Sequence, residues 1–208
     1  MAVPCIALTL KLIEIPSFVC VTSEKLGKPF RFRSYESSWN DIDDCPIWQA
    51  CRATSAAPTF FPPMVIGNPP TAYVDGGLQY NNPIRLLLDE ARHIWQPTRD
   101  IGCIVSIGTG ILASRDIGRT LQPLFESLQS IATDTEKVAR EFREEMKHRH
   151  GVEQRVYFRF NVQHGLEQVA LEEWKEMDRT KVATQEYTGE QWSQIQACAS
   201  QLHNPICK

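Results

Sequence analysis

The sequence predicts a layered α/β domain, and three observations carry that prediction. Ile101 to Ile107 is a continuous apolar run, closed by Gly108-Thr109-Gly110, the pattern of a strand buried on both faces. Arg155 to Val162 alternates strictly: Val156, Phe158, Phe160 and Val162 form one face, and Arg155, Tyr157, Arg159 and Asn161 the other. Leu121, Leu124, Leu128, Ile131, Thr135, Val138, Phe142 and Met146 step by 3 and 4, the apolar stripe of a long helix. Strands interleaved with such helices pack as layers.

The other elements follow in chain order. Residues 1–17 have no clear period and are expected to be an irregular start. Phe18 to Thr22 reads as a buried strand, Glu24 to Pro29 as a turn centred on Gly27, and Phe30 to Tyr35 as an alternating strand, together a hairpin. Glu36 to Cys45 is polar and acidic, a loop. Pro46 opens a helix that runs to Ala57, where Pro58 stops it. Its small residues, Ala50, Ala53, Thr54, Ser55, Ala56 and Ala57, allow close packing or a wall lining a site. Phe60 to Met64 reads as an apolar loop and Ile66 to Thr71 as a turn-rich connection. Ala72 to Val74 forms a short strand. A helix from about Pro83 to Trp95 presents Ile84, Leu87, Leu88, Ala91 and Trp95 on one face. Two helices close the chain, Leu166 to Tyr187 and Glu190 to Leu202. Trp174, Met177, Trp192, Ile195 and Leu202 are expected to face the core.

Composition bounds the function. With 208 residues, 42% hydrophobic and 23% charged, the chain reads as an ordinary globular domain. A formal net charge of −3 provides no basic footprint for nucleic acid. The apolar run from Ala2 to Leu10 is too short to span a membrane. Seven cysteines at scattered spacings, with no C-x-x-C pair, argue against a zinc or dithiol motif and point to a reducing compartment, so the cytoplasm is the expected location. Cys51 and Cys103 have no evident activating partner, which speaks against cysteine chemistry. His148-Arg149-His150 lacks further ligands at usual spacing, so no metal is expected. The charged face of the long helix, Glu136 included, reads as solvated.

The stretch Tyr73 to Pro83 carries the chemistry. Asp75 stands where an apolar strand ends. Gly76 and Gly77 permit a sharp turn, a positive φ or close approach to another group. Asn82 suits a helix N-cap and Pro83 the first helical position. An acid at a strand end, beside glycines and ahead of a helix, is placed for acid–base work, or is simply a turn residue.

Four blocks together resemble the patatin-like phospholipase family: Ala50-Cys51-Arg52-Ala53-Thr54-Ser55-Ala56-Ala57-Pro58 with Phe60-Phe61, Val74-Asp75-Gly76-Gly77, Asn81-Asn82-Pro83, and Val105-Ser106-Ile107-Gly108-Thr109-Gly110. In order and spacing they look like the C-terminal half of that domain, and Tyr157 to Asn161 is similar to the tail of fungal members. The resemblance implies an incomplete three-layer α/β/α patatin-like fold, with residues 1–17 outside it and 18–208 forming the C-terminal portion and a helical tail. It implies a hydrolase of lipid acyl esters that uses a Ser–Asp dyad and no cofactor. Asp75 takes the place of the proton acceptor in the family's D-G-G motif, supported by Gly76, Gly77, Asn81, Asn82 and Pro83. Lipid or acyl ester is the implied partner, along with further domains of a longer parent chain.

The family's serine lies in G-x-S-x-G, and its oxyanion donors in a glycine-rich loop; neither pattern occurs in these residues. Ser55 and Ser106 lack the flanking glycines. The expectation is half of an active site, inactive alone, with the parallel sheet carrying an exposed edge. A non-catalytic module that binds lipid or a partner is the alternative.

Overall fold

A computed structural model describes residues 15–37, 45–96, 98–111, 122–150, 156–166, 169 and 174–203. The chain divides into two units, Met1–Asn81 and Asn82–Lys208. It is a mixed α/β structure, as the sequence predicts, consistent with part of a patatin-like α/β/α fold. The expected irregular start lies almost wholly outside the described residues.

The first unit contains strands β1 (Phe18–Ser23), β2 (Pro29–Arg33), β3 (Met64–Ile66) and β4 (Thr71–Asp75), with helices α1 (Ile47–Thr54) and α2 (Gly77–Tyr80). The sheet order is β2-β1-β4-β3, and every pairing is antiparallel. The expected hairpin is present, and Gly27 turns it at φ 59. The expected parallel sheet is not found in this unit. Its short connections, residues 24–28 and 67–70, can only return the chain antiparallel. β3 is a strand where a loop and turn were expected, because pairing with β4 recruits three residues too few to show a period.

One face of this sheet carries the core. Val21, Phe32, Ile66 and Tyr73 pack with Cys45, Ala50 and Ala53. Tyr73 meets Phe30 and Phe32 edge-on at 5.6 and 5.0 Å between ring centroids. Ala50 and Ala53 are fully buried, so the small residues of α1 serve close packing. The helix ends at Thr54, earlier than Ala57: the Ala56 N–H turns to the Ala53 carbonyl at 3.2 Å and the Ala57 N–H to the Ser55 carbonyl at 2.9 Å, and the Ala56 carbonyl then accepts the Asp75 N–H at 3.0 Å.

The second unit contains α3 (Ile84–Trp95), β5 (Ile104–Ile107), α4 (Gln122–His150), β6 (Tyr157–Phe160), a 3₁₀ turn (Trp174–Glu176), α5 (Met177–Glu190) and α6 (Trp192–His203). β5 and β6 pair in parallel, Ile104 opposite Tyr157 through Ile107 opposite Phe160. Ile84, Leu88, Ile104, Phe142, Met146, Val156 and Tyr157 form its core.

Several sequence expectations are corrected here. β5 is not buried on both faces: it begins at Ile104, and Ile107 is 79% exposed at the end of a two-stranded sheet. Both faces of the β6 segment are covered: Tyr157, Arg159 and Asn161 are buried along with Phe158 and Val162, Tyr157 against Phe142 in the core. On α3 the buried side is turned toward Glu90, leaving Leu87 and Trp95 exposed. The first of the two closing helices starts at Met177, and Met177, Trp192 and Leu202 are exposed; Ala183 and Cys198 are buried instead.

Candidate functional site

Asp75 ends β4 in register with Val21 of β1. Its backbone is fixed by the N–H bond to Ala56. Its carboxylate Oδ1 accepts the Gly77 N–H at 2.7 Å. The side chain is half-buried, and burial raises its pKa above the ordinary carboxylate value, opposed by the Gly77 hydrogen bond. A carboxyl held this way has increased proton affinity.

The two glycines act through space. Gly76 has φ −70, so no left-handed turn is needed; a Cβ there would overlap the Cys20 carbonyl. Gly77 leaves room for the acid: a Cβ would sit 3.1 Å from Asp75 Oδ1. Cys20 is held from the other side, its carbonyl accepting the Thr54 hydroxyl at 2.6 Å. The A-T-S-A-A block and the D-G-G block are thereby joined at two points, Thr54 to Cys20 beside Gly76, and Ala56 to Asp75.

The asparagines separate. Asn81 is exposed and closes α2. Asn82 is buried and caps nothing: its Nδ2 reaches the Thr135 carbonyl and its Oδ1 accepts from Ser106 Oγ, both at 3.4 Å. That displaces the expected N-cap onto Pro83, which has no side chain able to cap α3. Asp75, Gly76 and Gly77 thus form one local arrangement, whereas Asn82 and Pro83 serve the second unit.

Ser55 and Ser106 have structural partners. Ser55 Oγ donates to the Cys51 carbonyl at 2.6 Å. Ser106 is buried and accepts from Arg159 Nη1 at 3.1 Å. Arg159 Nη2 reaches Glu136 Oε1 at 3.0 Å, and Asn161 Nδ2 reaches the same oxygen at 2.9 Å. Asn161 Oδ1 accepts the Gly110 N–H at 2.8 Å. Glu136 is therefore not simply part of a solvated face, and Gly108-Thr109-Gly110 is a clamped loop; a Cβ at Gly108 would overlap Asn161. Burial pushes the Tyr157 hydroxyl pKa up beside this network. Sequence reasoning missed it, although Arg159 and Asn161 share a β6 face and Glu136 lies one position after Thr135 on the apolar stripe of α4. Among the described residues no group of three His, Cys, Asp or Glu side chains could hold a metal ion. No described helix is long and apolar enough to cross a membrane.

The strand thus ends in a half-buried acid that is braced by the segment after a helix of small residues and followed by a close-packed glycine pair. Residues 16–88 match the patatin-like phospholipase family. Calcium-independent phospholipase A2-gamma of Rattus norvegicus is 40% identical over 122 residues, 53% of this chain and 15% of the rat protein. Patatin-like phospholipase 1 of Plasmodium falciparum is 28% identical over 225 residues, 90% of this chain and 32% of that protein. Probable inactive patatin-like protein 9 of Arabidopsis thaliana is 34% identical over 90 residues, 41% of this chain and 23% of that protein. These likenesses support the patatin-like phospholipase family for the chain, which spans only 15% of the length of the phospholipase A2-gamma relatives.

Proposed function

We propose that the chain carries the acid half of a lipid acyl hydrolase site, with Asp75 as the proton acceptor of a Ser–Asp dyad. The single observation that supports this most is the placement of Asp75. It is half-buried, has a raised pKa, is fixed through its backbone to Ala56, and its carboxylate has one hydrogen bond among the described residues, to Gly77. In the reaction, Asp75 takes the proton of the serine hydroxyl as that oxygen attacks the ester carbonyl. It returns the proton to the leaving alkoxide, and water then repeats the cycle on the acyl-enzyme. The serine belongs to a G-x-S-x-G segment that these 208 residues do not contain. We read residues 18–208 as the C-terminal part of a fungal-type patatin-like domain within a longer cytoplasmic protein that acts on lipid esters.

The test is hydrolysis of a short-chain nitrophenyl ester. The chain alone is expected to be inactive. Mixed with, or fused to, the G-x-S-x-G half of a patatin-like relative, it is expected to gain turnover that Asp75→Asn abolishes. Turnover by the chain alone that survives replacement of every serine overturns the dyad.

A second reading, a non-catalytic lipid-binding module, is favoured by one observation: the 34% identity to a relative named as probably inactive. Fused protein that binds ester substrate without turning it over supports that reading.

A further inference from the structure

Two free cysteines far apart in sequence, Cys103 and Cys198, meet in the second unit. Cys103 directly precedes β5, and strand alternation turns it to the face opposite Ile104. Ile104 and its β6 partner Tyr157 pack with Phe142, so α4 lies on that other face. α6 is fastened to the two strand segments at two points. Gln194 Nε2 donates to the Arg159 carbonyl at 3.3 Å, and Gln201 Nε2 donates to the Gly102 carbonyl at 2.8 Å. Arg159 stands opposite Ser106, so α6 runs against the strand direction. Gln194, Cys198 and Gln201 are spaced by 4 and 3 and share one helix face. Cys198 lies about 4.5 Å along the helix axis from Gln201. A strand covers that distance in one to two residues, at about 3.3 Å each. From Gly102 that is the level of Cys103 and Ile104. The two thiols are hydrogen-bonded to each other there.

The sequence holds no C-x-x-C pair, so this dithiol is assembled by the fold. Cys198 is buried, and Cys103 is half-buried and the more accessible of the two. Burial and the second thiol push the Cys103 thiol up to about 11. A thiol so raised gains little by ionising, whereas a disulfide carries no charge to desolvate. The site therefore favours the oxidised form once it is made. A high-pKa thiol is also a poor leaving group, which slows reduction of that bond. The bond would tie α6 to the start of β5 and close the loop that contains α4, β6 and α5. Such a closure restricts the unfolded chain.

We propose that Cys103 and Cys198 form a reversible disulfide that clamps α6 to β5, with a low-molecular-weight disulfide as the oxidant. With glutathione disulfide, the Cys103 thiolate attacks one sulfur, the glutathione S–S bond breaks, and one glutathione leaves as its thiolate. The Cys198 thiolate then attacks Cys103 Sγ, forms the protein S–S bond and expels the second glutathione thiolate. The two protons of the protein thiols end on the two glutathiones; the protein loses two electrons and glutathione disulfide gains them. The clamp is independent of the reading of Asp75. The experiment equilibrates the purified 208-residue chain with glutathione and glutathione disulfide, quenches it with acid and maps the disulfide-linked peptides. The 103–198 link is expected to dominate, about tenfold or more above its yield in concentrated urea, where nothing holds the thiols together. Oxidation should raise the melting temperature by about 5 °C, and dithiothreitol should reverse the rise. Cys103→Ser and Cys198→Ser should each abolish it, with Cys103 of the Cys198→Ser variant stopping at the glutathione adduct. Circular dichroism checks that each variant is folded. Four outcomes would each overturn the clamp. They are an equal yield of the link in urea, a Cys45–Cys51 link forming while Cys103 and Cys198 stay reduced, a link without a melting shift, and a shift that survives either serine variant or dithiothreitol.

Discussion

The Asp75 carboxylate takes its one hydrogen bond among the described residues from the Gly77 N–H two residues on, at 2.7 Å. This contact lowers the cost of holding a carboxylate in a half-buried place, but burial is the larger effect and the pKa remains raised. The folded chain therefore binds the Asp75 proton more tightly than the unfolded chain. The stability this contributes is complete below the unfolded pKa and is lost as pH rises through the folded one. Asn keeps an oxygen for Gly77 and carries no charge. Asp75→Asn should melt above the wild type at pH 7, with the difference shrinking toward pH 3.5. Thermal melts at the two pH values check this, and a pH-independent difference would contradict the burial account.

Gly76→Ala should be severely destabilising, by about 2–4 kcal/mol, because its Cβ meets backbone that cannot move aside without parting β1 from β4. Gly77→Ala should unfold the chain far less, since its nearest neighbour is the movable Asp75 carboxylate. Urea unfolding of both variants separates the two roles: a Gly77 variant as unstable as the Gly76 variant would show that the second glycine also serves packing.

Glu136 offsets a buried cation. Arg159 is 5% exposed in its side chain, while Glu136 is 38% exposed, so solvent shares in screening the pair. Glu136→Gln should cost about 2 kcal/mol, below the full loss expected for a wholly buried pair. Arg159→Met with Glu136→Gln should recover part of that loss. A double-mutant cycle by chemical denaturation measures the coupling, and a coupling near zero would mean the network is decorative.

Burial pushes the Cys45 thiol up to about 11, and burial with neighbouring Cys198 does the same for Cys103. At pH 8 only about one molecule in a thousand would carry the reactive thiolate at such a site. Cys51 is exposed. Peptide mapping after brief iodoacetamide treatment should find Cys51 alkylated well before Cys45 or Cys103, and equal labelling of the three would contradict the burial assignments.

The sequence showed those parts of the fold that local chemistry dictates. Alternating Phe30 and Phe32 with Gly27 declared the β1–β2 hairpin, and the stripe Thr135, Val138, Phe142, Met146 declared α4. Asp75 at a strand end was legible because a strand, two glycines and a helix start meet there. What failed needed knowledge of a partner. Arg159 and Asn161 alternate with apolar residues, which identifies two faces but not that Glu136 and Ser106 cover the second. Met177, Trp192 and Leu202 are apolar, yet no described element buries them. Asn82 has the chemistry of an N-cap, and only the arrival of Thr135 and Ser106 diverts it. Gly76 was read as a turn residue among other options; its true constraint, the Cys20 carbonyl, is fifty-six positions away in sequence.

The hairpin between β3 and β4 separates two motifs that hydrogen bonds hold together elsewhere. Ala56 and Thr54 fasten to Asp75 and Cys20 without help from residues 67–70, all of which are exposed. That tip is therefore a handle: an epitope or fluorescent tag inserted there should ride on the sheet without disturbing the acid.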